Sequence, residues 1–264
     1  MDTEINNPPK KAPSISIILP CYNEGLNIHR NILHIEKYLR KNFYDIEIIA
    51  VNDGSTDDTR KELQKLRENP GILLKIIDKP SNEGKGAAVK RGIFESQKDI
   101  VMFMDADLAI PIEELPAFAK EIEKGSDIVI ASRFVSKIKV LEPILWYRGI
   151  MEKIFRILRM IIINNYDIQD TQCGFKVFRR EAALKIFPLL TVERFSFDVE
   201  VIFLANKMGF KIKELPITLQ NPQESHIRIV RDSWNMFWDL LRIRWNEMRG
   251  KYNIKSQIQG LNNK

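Results

Sequence analysis

The stretch Ile100-Val101-Met102-Phe103-Met104, followed directly by Asp105-Ala106-Asp107, sets five apolar residues against an acidic terminus. An unbroken apolar run of that length fits a strand covered on both faces, as in a parallel sheet sandwiched by helices. Side chains alternate along extended chain, so an Asp, a small residue and a second Asp send two carboxylates off the strand end in the same direction. In open α/β sheets that end is where ligands bind. A carboxylate pair there suits Mg²⁺ or Mn²⁺, which prefer oxygen ligands and fill the rest of the shell with water and phosphate. The other reading is a polar strand terminus, and the string alone does not separate the two.

Outward from this segment the chain alternates strand-like and helix-like patterns. Ile15 to Leu19, Ile46 to Val51, Leu73 to Ile77 and Asp127 to Ala131 are further strand candidates. Glu24 to Lys41, Thr56 to Asn69, Gly84 to Gln97 and Glu113 to Lys124 read as the helices between them. Such repetition predicts an α/β fold with a mainly parallel sheet wound by helices on both faces.

The residues just after each strand then share one rim. They are Pro20-Cys21-Tyr22-Asn23-Glu24, Asn52-Asp53-Gly54-Ser55, Asn82-Glu83-Gly84-Lys85-Gly86 and the Asp pair. Ser55 or Thr56 is placed to cap the following helix. Gly84 and Gly86 are expected to let backbone approach a ligand, with Lys85 supplying a charge suited to phosphate. Each loop alone reads as ordinary punctuation; their coincidence on one rim points to a site. No GxGxxG follows the first strand and no GxxxxGK[ST] occurs, which removes the common dinucleotide and P-loop readings.

With 264 residues and ordinary composition, the chain is long enough for a substantial core. Cys21 and Cys173 lie outside any CxxC pair, which favours a reducing compartment over a disulfide scaffold. No apolar run reaches the roughly eighteen residues of a membrane span, and the N-terminus has no signal-like apolar region. The expectation is a cytoplasmic or peripheral protein. Residues 1 to 13, with three prolines, read as a disordered arm.

Net charge is +6, and its distribution matters more than its size. Leu145 to Ile163 predicts a helix with a polar stripe of Arg148, Glu152, Arg156 and Arg159 and a broad apolar face. A second such helix is expected over Ile229 to Arg249. Between Arg228 and Lys255, seven Lys or Arg face three acids and mix with Trp234, Phe237, Trp238 and Trp245. Packing on the chain's own core is one reading of these helices; two basic amphipathic helices, one rich in Trp, favour a membrane surface. No nucleic-acid motif is present.

Together PCYNE (20–24), VNDGSTD (51–57), NEGKG (82–86), DADL (105–108) and Ser132-Arg133 resemble the rim loops of inverting family 2 glycosyltransferases with a GT-A fold. DTQCGFK (170–176) and FDVE (197–200) look like the polyprenyl-phosphate branch, closest to dolichyl-phosphate β-glucosyltransferases. The resemblance implies a metal-dependent transferase that moves a sugar, favouring UDP-glucose as donor, to dolichyl or polyprenyl phosphate at the cytosolic membrane face. It also implies a layout: a catalytic domain over 14–225 that includes the helix at about 145–163, and a basic amphipathic helix and tail over 226–264.

By similarity, Pro20, Tyr22, Glu24 and Asp53 line the base and ribose pocket. Asp105 and Ala106 lie near ribose and diphosphate, with Asp105 and Asp107 holding Mg²⁺ or Mn²⁺. Lys85, Arg133 and Arg148 face phosphate oxygens, and Gln172, Asp198, Ser225, His226 and Arg228 surround the donor sugar and the leaving diphosphate. Two positions depart from the pattern. Ala109 stands where relatives carry a Gln that would be a third metal ligand, and His226 where they carry Lys, which would make activity pH-sensitive near neutrality. Many relatives also carry a membrane helix, so anchoring falls here to the amphipathic helices or to a membrane-protein partner.

Asp198 stays open between general base, sugar-orienting group and helix cap. The alternatives to the favoured reaction are a GDP-mannose-dependent dolichyl-phosphate mannosyltransferase, a family 2 transferase acting on a glycan hydroxyl, and a non-catalytic nucleotide-sugar-binding module.

Overall fold

The structure, a computed structural model, describes residues 13–43, 45–69, 71–135, 146–163, 167–217 and 229–252, and the side chains of these except 146–154 and 229–233. The arm expected over 1 to 13 therefore lies, Pro13 excepted, outside the described residues, as do Ser225, His226, Arg228 and the Arg148 side chain.

The described strands are β1 (Ile15–Cys21), β2 (Ile46–Asn52), β3 (Leu74–Asp78), β4 (Ile100–Met104), β5 (Ile128–Ser132), β6 (Phe175–Arg179) and β7 (Ile212–Pro216). The helices are α1 (Ile28–Asn42), α2 (Thr59–Arg67), α3 (Lys85–Glu95), α4 (Leu115–Glu123), α5 (Trp146–Ile163), α6 (Arg180–Ile186), α7 (Phe197–Lys207) and α8 (Ile229–Met248). The strands form one sheet in the order β3-β2-β1-β4-β6-β5-β7. β6 runs antiparallel to β4 and β5, and the remaining pairs are parallel. The chain winds from β1 out to β3 and then returns to β4 on the other side of β1. This reversal places a crevice at the carboxyl ends of β1 and β4, where PCYNE and the Asp pair emerge.

The alternation of strand side chains builds two cores. On β4, Ile100, Met102 and Met104 join β1's Ile15, Ile17 and Leu19 under α1, α2 and α4. Val101 and Phe103 join Ile18 on the opposite face, under α3, α6 and α7. The expected mainly parallel sheet is therefore present, with both faces of β4 buried. β6 was not anticipated because Lys176 interrupts its apolar run, and β7, IKELP, alternates weakly and ends in Pro.

The two amphipathic helices divide their faces. On α5, Ile163 is buried while Ile157 and Ile161 are exposed. On α8, Leu240 and Ile243 sit in the second core while Trp234, Trp238, Trp245 and Met248 project outward. One expectation fails here. Arg159, placed on the polar stripe of α5, is 1% exposed. Its Nη2 donates to the carbonyl of Ile168 at 2.9 Å, so the stripe turns inward at its end to satisfy loop carbonyls.

α8 is also fastened by polar bonds. Glu200 on α7 is fully buried and accepts from Thr191 N–H (2.9 Å), Thr191 Oγ1 (2.7 Å), Val192 N–H (2.8 Å) and the Tyr252 hydroxyl (2.7 Å). Asn246 of α8 donates to Thr191 Oγ1 at 3.0 Å. Four donors on one buried carboxylate meet the cost of removing it from water.

Candidate active site

The first two rim loops are sewn together. Asn23, at φ 58°, donates its N–H to Ser55 Oγ (3.0 Å), and its Oδ1 accepts from Thr56 N–H (2.9 Å). Glu24 N–H donates to Thr59 Oγ1 (2.8 Å) and Gly25 N–H to Asp57 Oδ2 (2.9 Å). Ser55 and Thr56 therefore do not cap the following helix, which starts only at Thr59 after Asp58. Their hydroxyl and amide groups serve the neighbouring loop, because the turn at Asn23 leaves polar groups that need partners. Glu24 likewise lies ahead of α1, which begins at Ile28.

Asp53 is 2% exposed, with Oδ1 accepting from Lys79 Nζ (2.7 Å) and Glu83 N–H (3.1 Å) and Oδ2 from Gly84 N–H (2.8 Å). It fastens the NEGKG loop to β2. A carboxylate has about four acceptor directions, so among the described residues one direction remains on Oδ2. The two glycines of that loop approach protein rather than ligand. A Cβ on Gly84, at φ 111°, would meet the Glu193 carbonyl at 2.6 Å, and one on Gly86 the Phe197 Cβ at 2.7 Å. They admit the segment leading into α7, and so bring Lys85 beside it.

Asn31, buried on α1, donates to the Ala106 carbonyl at 2.8 Å and fixes the backbone of the Asp pair. Leu108, at φ 57°, takes a left-handed conformation that costs about 1–2 kcal/mol for a side chain of this kind. The turn lets Ala109 N–H reach Asp107 Oδ1 at 3.0 Å. Ala109 thus contributes a backbone donor to the Asp pair where relatives are expected to offer a ligand. Asp105 occupies the room left by Gly174, where any Cβ would collide with its carboxylate, and is ion-paired with Lys85.

The acids crowd one another. Burial, then Asp107, Asp105 and Asp57, push the Glu24 carboxyl up to about 7, and burial with Asp105 raises Asp107 against the pull of Ala109 N–H and Lys85. Such a concentration of negative charge is relieved by a cation. Among the described residues no group of three or more His, Cys, Asp or Glu converges on a point. Asp105 and Asp107 are all-oxygen donors, which fits a hard divalent ion that keeps water and phosphate in its shell.

The other half of the rim comes from β5, β6 and α7. Arg133 lies against Asp170, Nε to Oδ2 at 2.7 Å and Nη2 to Oδ1 at 3.1 Å, and its N–H also reaches Oδ2 at 3.1 Å. Glu214 of β7 accepts from the N–H groups of Gln169 (3.0 Å) and Asp170 (2.9 Å). Gln172 N–H reaches Asp170 Oδ1 at 3.3 Å. Asp198, 3% exposed, is bonded to Lys176 Nζ at 2.5 Å, and the same ammonium donates to the Cys173 carbonyl at 2.6 Å and sits 5.2 Å from the centre of the Phe103 ring.

The structure thus brings Pro20, Tyr22, Glu24, Asp53, Lys85, Asp105, Ala106, Asp107, Arg133, Gln172 and Asp198 to strand ends and helix starts of one rim. Sequence reasoning missed Asn31, Lys79 and Lys176. The signal for Lys176 was present, a charge set between the apolar residues Phe175 and Val177 of a strand. Cys21 and Cys173 are unbridged and buried, and burial pushes the Cys173 thiol up to about 12.

A GT-A-type sheet with an acidic crevice at its β1/β4 switch defines a nucleotide-sugar transferase architecture, and comparison with known proteins agrees. Residues 16–187 match the family described as Glycosyl transferase family 2, to which this chain belongs. It is 33% identical over 259 residues to the dolichyl-phosphate beta-glucosyltransferase of Dictyostelium discoideum, covering 92% of this chain and 77% of the relative. It is 33% identical over 261 residues to the Saccharomyces cerevisiae protein of that name, covering 90% and 76%. Among solved structures, glucosyl-3-phosphoglycerate synthase from Mycobacterium tuberculosis, crystallised with Mn²⁺, UDP-glucose and glycerol 3-phosphate, matches the fold with TM-score 0.63 and 17% identity, over 88% of this chain and 80% of that one.

Proposed function

We propose that this chain transfers glucose from UDP-glucose to the phosphate of dolichyl or a related polyprenyl phosphate, working peripherally at the cytosolic membrane face with Mg²⁺ or Mn²⁺. The observation that carries this reading is the acid-crowded crevice of Glu24, Asp105 and Asp107 in a chain so similar to two dolichyl-phosphate β-glucosyltransferases. The solved fold relative with Mn²⁺ and UDP-glucose supports the choice of metal and donor.

A lipid monophosphate, with a second pKa of about 6, is already an anionic nucleophile at neutral pH. The protein's task is alignment and charge neutralisation. Pro20, Tyr22, Glu24 and the remaining acceptor direction of Asp53 hold base and ribose. A metal held by Asp105 and Asp107 would supply positive charge to the departing UDP. Arg133, held in one orientation by Asp170, meets phosphate oxygens, with Arg148, Ser225, His226 and Arg228 as further donors. Asp198, anchored by Lys176, orients the donor sugar beside Gln172, because a phosphate acceptor leaves it no proton to remove. A single in-line displacement inverts the anomeric carbon and yields a β-linked product.

No described helix is long and apolar enough to cross a membrane. The outward Trp234, Trp238, Trp245, Ile157 and Ile161 are suited instead to the headgroup zone, where aromatic rings and basic residues partition together.

Incubation with radiolabelled UDP-glucose, dolichyl phosphate in liposomes and Mn²⁺ is expected to give chloroform-soluble label. Label from GDP-mannose alone, or transfer only to glycan hydroxyls, would replace this reading; no transfer from any nucleotide sugar would overturn it.

A further inference from the structure

Lys85 opens α3, and its ammonium pairs with Asp105. This is not an ordinary surface pair: the Lys85 side chain keeps 20% exposure against 41% for Asp105, so the cation is the more enclosed partner. Asp105 lies in the space that Gly174 leaves by having no side chain, where any Cβ would collide with its carboxylate. Asp198 acts electrostatically on the same ammonium, so a second anion flanks Lys85 on the α7 side. An oxygen that a divalent cation would need at Asp105 is therefore engaged by the protein's own cation.

We propose that Lys85 is an exchangeable counter-ion of the Asp105–Asp107 pair: it holds Asp105 before the donor binds, weakens capture of a lone divalent cation, and passes to the donor diphosphate when nucleotide and metal arrive together. The inference rests on the metal-assisted reading above. Its physical basis is charge. With Lys85 at Asp105, a metal ion alone must displace or tolerate a like charge at close range. A metal arriving with a diphosphate brings the anion to which the ammonium can move. Lysine suits the task because its charge is compact and sits on a flexible stem, whereas the planar fork of arginine favours a fixed carboxylate partner. Metal and nucleotide binding are then positively coupled beyond what phosphate in the metal's own shell provides, and this added coupling runs through Lys85.

The test is Mn²⁺ affinity, measured from the electron paramagnetic resonance signal of unbound Mn²⁺, with and without UDP, on the full chain. Wild type, Lys85→Met, Lys85→Gln and Lys85→Arg are compared, with thermal melting to establish that each is folded. Without UDP, the two neutral variants are expected to bind Mn²⁺ about tenfold more tightly than wild type, the scale of one like charge removed at close range. The gain in Mn²⁺ affinity on adding UDP should shrink in the same variants, while Lys85→Arg stays close to wild type without UDP. Unchanged or weaker Mn²⁺ binding by the folded neutral variants, with wild type binding Mn²⁺ normally in the presence of UDP, overturns the exchange. Equal tightening in Lys85→Arg overturns it too. Wild type that takes up no Mn²⁺ even with UDP overturns the metal-assisted reading itself, and the exchange with it.

Discussion

Arg133 and Asp170 meet edge to edge, Nε to Oδ2 at 2.7 Å and Nη2 to Oδ1 at 3.1 Å, with the carboxylate 2% exposed. Burial works against the Asp170 carboxylate, but Arg133 holds it below the usual carboxylate range. Replacing Asp170 with Asn removes the charge while leaving the shape. Asp170→Asn is expected to lower stability by about 2 kcal/mol, the scale of charge-assisted hydrogen bonds, and to reduce turnover more than it raises KM for UDP-glucose, since Arg133 loses its fixed orientation. Denaturant titration and steady-state kinetics check both parts; an unchanged kcat in a folded variant would contradict the positioning role.

Lys176 and Asp198 form a buried pair, and such pairs are costly to break from one side only. Lys176→Met alone should destabilise by about 3–5 kcal/mol, because it leaves a buried carboxylate without its ammonium. The double variant with Asp198→Asn should recover much of that loss without recovering activity. A double-mutant cycle from denaturation data tests the coupling, and strict additivity would refute it.

Glu24 gives the fold a pH dependence with a definite sign. Its folded pKa, about 7, lies above the roughly 4.3 of an unfolded glutamate. Its contribution to stability is therefore fully present below about pH 4.3 and lost as pH rises through 7. Glu24→Gln, neutral throughout, should melt above wild type at pH 8 by the equivalent of about 1 kcal/mol after solvent screening, and the gap should close toward pH 5. Melting curves in chelator-containing buffer measure it, and a gap that does not vary with pH speaks against the assigned crowding.

Trp234 and Trp238 stand 6.0 Å apart at 62% and 54% exposure, where substitution leaves the core untouched. Trp234→Ser with Trp238→Ser should keep the melting temperature yet lose most sedimentation with liposomes. KM for long-chain polyprenyl phosphate should rise several-fold, while turnover of a short, water-soluble acceptor is retained. Equal loss with both acceptors would place these residues in the catalytic fold instead of at a lipid surface.

The first five strands were legible because each is an apolar, β-rich run closed by a turn signal, and β4 matches its expected bounds residue for residue. The rim followed from them, since a parallel sheet gathers its loops. What stayed hidden depends on contacts between distant segments. Helical periodicity places Arg159 with Arg156 and Glu152, but only the fold brings the Ile168 carbonyl to it. Gly84 and Gly86 looked like ligand-facing glycines, and only the packing of the segment before α7 shows what they admit. Asn31 and Lys79 lie on or beside ordinary elements and acquire meaning only from Ala106 and Asp53, which the fold brings beside them.

Glu200 sits two residues beyond Asp198 on α7, and the bonds it shares with Thr191 and Tyr252, with Asn246 on the same threonine, bolt α8 to that helix. On the function proposed, the outer side of α8 touches lipid and the first turn of α7 touches sugar. The fold then works as a depth gauge: the height of the reacting carbon above the bilayer is built into the bolt, and the isoprenoid phosphate must rise to that height to react.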